Sequence, residues 1–133
     1  MKISEIQPTE EEVRLLLEAG FILRTAGRIE AAATVFQGAR ELLPEADVPL
    51  VAIGSLELQQ GRFASAQSYC EEALRLKPDS LYARLHRAEA LLMQHQQTEA
   101  EAELQTIIAA DPNSPHSRTA QALLAAAHLF AAA

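Results

Sequence analysis

The sequence predicts an all-α fold, a solenoid of stacked helical hairpins, and three observations predict it. The first is apolar spacing. In the segment 47–80, DVPLVAIGSLELQQGRFASAQSYCEEALRLKPDS, Leu50, Ile53, Gly54 and Leu58 recur at three- and four-residue steps, as do Phe63, Ala66, Cys70, Ala73 and Leu74. That period places side chains on one face of a helix. The second is Gly61-Arg62 between the two patterns, since glycine adopts the left-handed dihedrals of a tight helix–helix turn at little steric cost. The third is recurrence without insertion. Pro44, Pro78 and Pro112 lie 34 residues apart (78 − 44 and 112 − 78), and Gly20/Gly54, Gly27-Arg28/Gly61-Arg62 and Ala32/Ala66/Ala100 keep the same interval. A hairpin repeated at such a period cannot bury its apolar face alone and must stack on its neighbours.

This unit has a small residue in its first helix, Gly before an apolar residue at the turn, Ala early in its second helix and Pro at its end. It resembles the tetratricopeptide repeat (TPR). The resemblance implies a single domain over 1–133: a lead at 1–12, repeats at 13–46, 47–80 and 81–114, and a C-terminal capping helix at 115–133. The repeats cover about three quarters of the chain.

Each element has its own local signals. In the lead, Ile3 and Ile6 are available to pack on the first helix, and Pro8 ends the segment. Thr9 followed by Glu12 reads as a capping box, and Glu10, Glu11 and Glu12 place negative charge at a helix N-terminus, where it is favoured. The first hairpin then comprises helices reaching about Ala26 and running from Ile29 to about Leu43. Asp47 and Ser80 are expected to cap the next two first helices, with Pro49 in a first turn where its missing N–H is harmless. In the third unit His95-Gln96-Gln97 replaces Gly-Arg-apolar, so a wider or less well fixed turn is expected there. Arg84 and Arg87 occupy places that are usually apolar, with stems able to cover apolar surface while the guanidinium groups reach water or Glu71-Glu72. Ser114 and Pro115 start the last helix. Leu123, Leu124, Ala127 and Phe130 give it an apolar stripe toward the third hairpin, and its Ala-rich outer sides make it a second candidate contact surface.

Composition narrows the function. A formal charge of −7, with Lys2 and Lys77 the only lysines and the arginines scattered, disfavours nucleic acid and anionic membranes, which need clustered cations. Cys70 is the single cysteine, which excludes an intrachain disulfide and a thiolate metal cluster and is expected to be a small buried hydrophobe. The amino-terminal stretch MKISEIQPTEEE lacks the apolar core of a secretory signal, so the expected location is the cytoplasm. The run 122–133 is too short to span a bilayer. His86, His95, His116 and His128 do not fall at metal-ligand spacings. Neither a phosphate-binding glycine loop nor a nucleophile elbow occurs. No catalytic residue, metal or cofactor is therefore expected, and the reading is of a non-enzymatic protein.

What remains is the surface that the TPR resemblance places inside the curve. It assigns Arg14, Leu17, Phe21, Arg24 and Thr25 from the first unit, Val48, Val51, Ser55, Leu58 and Gln59 from the second, and Tyr82, Leu85, Glu89, Leu92 and Met93 from the third. Nine of these fifteen are apolar or aromatic, which suits a partner more than water. TPR domains that grip the C-terminal carboxylate of heat-shock chaperones use inward Lys, Asn and Arg. Here Leu17, Phe21 and Val51 stand instead, so that clamp is not expected. An apolar groove suits a protein or peptide partner with an amphipathic helix or an extended apolar segment. Size, acidity, repeat number and groove character are similar to those of the TPR chaperones of bacterial type III secretion, which hold assembly-prone secreted subunits soluble. The competing expectation is a homo-oligomeric scaffold or homodimer joined through the groove or the Ala-rich terminal helix, with no client peptide.

Overall fold

Local sequence sets the helix ends, and the ends set the hairpins. The structure, a computed structural model, describes residues 7–132, with side chains to 129; Ile3, Ile6 and the Phe130 side chain lie outside the described set. Seven helices follow in order: α1 (Glu10–Thr25), α2 (Ile29–Leu42), α3 (Asp47–Gln59), α4 (Phe63–Leu76), α5 (Leu81–Met93), α6 (Gln97–Ala110) and α7 (Pro115–Ala132). Among the described residues there is no strand. The helices form three hairpins, α1/α2, α3/α4 and α5/α6, each stacked on the next, with α7 against α5 and α6.

The capping box at α1 forms in both directions: the Glu12 amide donates to Thr9 Oγ1 at 3.1 Å, and the Thr9 amide donates to Glu12 Oε1 at 3.2 Å. Ser80 caps α5 by accepting from the Ala83 amide at 3.2 Å, and Ser114 caps α7 by accepting from the Ser117 amide at 3.0 Å. Asp47 departs from expectation. Ala46 is the residue that flanks α3, and Asp47 lies inside its first turn. Its carboxylate instead accepts from the Ser80 hydroxyl at 2.6 Å, so it ties the start of α3 to the start of α5 rather than capping its own helix.

The third turn also differs from expectation. His95 takes φ +62°, beside +79° and +81° at Gly27 and Gly61. The Gln96 amide reaches the Leu91 carbonyl at 2.9 Å, as Arg28 reaches Leu23 and Arg62 reaches Glu57, both at 2.8 Å. The turn is neither wider nor looser than the others. Packing of α6 on α5 holds a non-glycine residue in the left-handed region, at a local cost of about 1–2 kcal/mol.

Small residues in α1, α3 and α5 meet side chains of matched size in the second helix of each hairpin. A Cβ on Gly20 would run into the ring of fully buried Phe36, and one on Gly54 would lie 3.3 Å from both the Ala66 carbonyl oxygen and Tyr69 Cβ. The corresponding position in the third hairpin is Ala88, buried in the same cluster as Leu104. Three apolar clusters follow one another along the stack. Phe36, Ile53 and Leu56 centre the first, Leu50, Val51 and Cys70 the second, and Leu91, Leu104 and Ile107 the third. Leu123 and Leu124 of α7 pack on the third, with Ala127 buried in it.

Between α4, α5 and α6 an ionic cluster replaces apolar packing. Glu103, only 8% exposed, accepts from Arg84 Nη1 at 2.7 Å and from Arg87 Nη1 at 2.8 Å, and Arg87 also meets Glu71 at 3.1 Å. Burial works against the Arg87 charge, but bonds to Glu71 and Glu103 outweigh it, and its affinity for the proton rises. The expected acidic partner is thus right for Arg87 alone, and Glu103 is the common acceptor for both arginines.

Candidate functional site

The inward faces of α1, α3 and α5 lie side by side, with the start of α7 beyond them. The structure divides the residues assigned to that surface into two sets. Val51, at 0% exposure, belongs to the second apolar cluster, Leu85 and Leu92 belong to the third, and Ser55 is buried as well. These four offer almost no surface to a partner. The reason is that Val51 packs in one cluster with Ala83 of α5, while Leu85 and Leu92 are enclosed by α6 and α7 in the third cluster. Leu17, Phe21, Arg24, Val48, Leu58, Tyr82 and Glu89 are half-buried, while Arg14, Thr25, Gln59 and Met93 are exposed, Met93 to 44%.

Arg24 bridges α1 and α3. Its Nη1 donates to Ser55 Oγ at 2.8 Å, and its guanidinium carbon lies 5.1 Å from the centre of the Phe21 ring. Ser55 gives its own proton to the Ala52 carbonyl at 2.6 Å. Its oxygen is therefore oriented as an acceptor. Phe21 packs at 5.1 Å on Phe36, so the aromatic face under Arg24 is anchored in the first cluster. At the end of α1, Phe21, Ile22, Thr25 and Ala26 line an open apolar depression of about 440 Å³.

Tyr82 stands in the first turn of α5. Its ring meets His86 edge-on at 5.0 Å and stacks at 6.4 Å on His116 of α7. Burial pushes its phenol up to about 12, against the pull of nearby Arg24, so it stays a neutral hydroxyl at any physiological pH. His86 Nδ1 is buried and approaches Glu89 Oε2 at 3.5 Å without making a hydrogen bond. His86 and His116 were not assigned to this surface from sequence. The available signal for His86 was its four-residue spacing from Tyr82, which puts both on one helix face; nothing local marks His116.

Cys70 is fully buried, and burial, with Glu89 and Glu71 adding, pushes its thiol up to about 12. It is a packing residue, without the thiolate that reactivity requires. Among the described residues no three His, Cys, Asp or Glu side chains gather as a metal site, and no helix is long and apolar enough to cross a membrane.

Comparison with known proteins accords with this architecture. The sequence profile of the tetratricopeptide repeat matches residues 57–129. No curated protein sequence matches the chain. Among solved structures, the Yersinia enterocolitica type III secretion chaperone SycD, in complex with a peptide of the translocator YopD, superposes with a TM-score of 0.75 at 22% identity, covering 91% of this chain and 95% of that one. PcrH from Pseudomonas aeruginosa gives 0.77 at 20% identity with the same coverage. The first TPR of Spaghetti (RPAP3), bound to an HSP90 peptide, gives 0.72 at 21% identity, covering 90% of this chain and 98% of that one. Identities this low establish a shared fold.

Proposed function

Because this chain belongs to the tetratricopeptide repeat family, we propose that it is a non-enzymatic interaction module that takes an apolar peptide segment or amphipathic helix against the inward faces of α1, α3 and α5. In this reading the chain is one domain with units at 13–46, 47–80 and 81–114. The observation that carries it is the run of incompletely buried apolar side chains across three successive helices: Phe21 in α1, Val48 and Leu58 in α3, Tyr82 and Met93 in α5. If three or four such anchors each contribute about 1.5–3 kcal/mol, the gross gain of about 5–12 kcal/mol, less ordering costs, allows micromolar binding or better. The finer role is that of a cytoplasmic chaperone for a subunit that would otherwise self-assemble, its apolar segment covered until export. The fold shared with SycD and the peptide bound in that structure support this role.

The test is a pull-down from the native cell with the intact chain and a Leu58→Glu, Met93→Glu variant of matched helicity and melting temperature. Loss of one small assembly-prone protein from the variant's eluate is the expected result. Recovery of the same partners by both forms would sink the groove reading. Leu92, being buried, is unsuitable for this test, since a glutamate there would unfold the third hairpin.

A second reading rests on α7. Ala122, Ala125 and Leu129 recur at three and four residues on its outer side, all exposed, Leu129 to 74%. That stripe suits a second copy of the chain and a scaffold role. A mass that rises with concentration, survives moderate salt and collapses on Leu129→Glu would favour it.

A further inference from the structure

We propose that Arg24 makes this groove selective for a peptide segment carrying a carboxylate side chain next to an apolar one. The inference deepens the groove reading and rests on it. Nine arginines occur in the chain. Arg14, Arg40, Arg62, Arg84 and Arg87 each meet a carboxylate at between 2.6 and 3.1 Å. Arg28, Arg75 and Arg118 meet none among the described residues, but they are exposed, where water solvates the charge. Arg24 is the exception: half-buried on the inward face, yet without a carboxylate among the described residues.

Its pose is held for it. Ser55, with its proton committed to the Ala52 carbonyl, accepts from Nη1, and the Phe21 ring supports the guanidinium face. A guanidinium has five N–H donors in a fixed fork, and its bond to Ser55 uses one of them. In a chain with 18 acidic residues and a net charge of −7, a half-desolvated cation that none of the described ones neutralises is a standing cost. A carboxylate from outside removes that cost and gains charge-assisted hydrogen bonds.

The apolar neighbour follows from the same geometry. Phe21 and Ile22 border the depression at the end of α1, one helical turn or less from Arg24. The acidic and apolar side chains of the guest must therefore be near neighbours: three or four residues apart in a helix, two apart in an extended segment. Apolar places lie on both sides of Arg24: Leu17 and Phe21 earlier in its own helix, and Leu58 one turn beyond its partner Ser55 in α3. A guest chain that runs on in both directions fits them, so the carboxylate is an internal Asp or Glu rather than a chain end.

The experiment uses random dodecapeptides displayed on phage, fused through their C-termini so that no terminal carboxylate is free, and selected on the full chain and on Arg24→Gln. The wild-type protein should enrich apolar residues with Asp or Glu at the stated spacings, and Arg24→Gln should keep the apolar preference and lose the acidic one. A selected sequence, synthesised with an amidated C-terminus, should bind the wild type about ten- to a hundredfold more tightly than its Glu→Gln analogue. Arg24→Gln should separate the two by less than about twofold, as an interaction assigned to this pair requires. The peptide change alone tests the idea on unaltered protein, should the variant fold poorly. Apolar enrichment without acidic enrichment on the wild type, or acidic enrichment that persists in Arg24→Gln, overturns the role of Arg24 and leaves the groove standing. Failure of the wild type to enrich apolar peptides overturns both.

Discussion

At the N-terminal end of the stack, α1 buries Gly20 alone and leaves Leu15 and Ile22 exposed to 52% and 68%. Toward the C-terminal end, α5 buries Ala83, Leu85, Ala88, Ala90, Leu91 and Leu92, because it has α3 and α4 on one side and α6 and α7 on the other. Each is the first helix of its own hairpin. What differs is the number of neighbours, and in a stack of repeats stability comes from neighbour interfaces as much as from the unit itself.

The sharpest way to break the comparison is to remove equivalent apolar bulk at the two ends. Leu91→Ala should lower stability by about 2–5 kcal/mol in urea denaturation, and Ile22→Ala by less than about 0.5 kcal/mol. Similar losses at both positions would show that the first helix is covered in solution as fully as the fifth. Next in size is Gly20→Ala. Its Cβ meets a fully buried aromatic ring, so about 1–3 kcal/mol should be lost. Gly54→Ala, where the nearest atoms stand at 3.3 Å, should cost less, and the reverse order would mean that the first hairpin gives way more easily than its packing implies. Smallest is His95→Gly. Relief of the left-handed strain, less the added freedom of the unfolded chain, should raise the melting temperature by an amount worth about 0.5–1 kcal/mol. A loss of stability would show that the imidazole makes a compensating contact.

The period of 34 made the fold legible, because proline, glycine and alanine ladders reported the same hairpin independently. It also assigned side chains to an inner face. Depth was not legible. Val51, Leu85 and Leu92, assigned to that face, are buried, because α5 packs on α3 and α4 and is itself covered by α6 and α7, which no local pattern reports. Contacts between hairpins were hidden for a related reason. Nothing in the local sequence joins Asp47 to Ser80, or Glu103 to Arg84 and Arg87, which only stacking brings together. The His95 turn was misread because propensity argued against a left-handed histidine, and tertiary packing overrode it. Arg24 was assigned to the inner face from the pattern, but its lack of a carboxylate partner is a property of the assembled stack.

The chain contains no tryptophan and two tyrosines, and Tyr82 is one of them. Its phenol, pushed up to about 12, remains un-ionised through the whole working pH range, so its ultraviolet emission is free of the phenolate form. A guest laid across α3 and α5 displaces water from that ring and alters the emission, while Tyr69, packed between the first and second clusters, supplies a steadier background. The proposed groove would thus carry its own optical probe, and its filling could be titrated without attaching a dye.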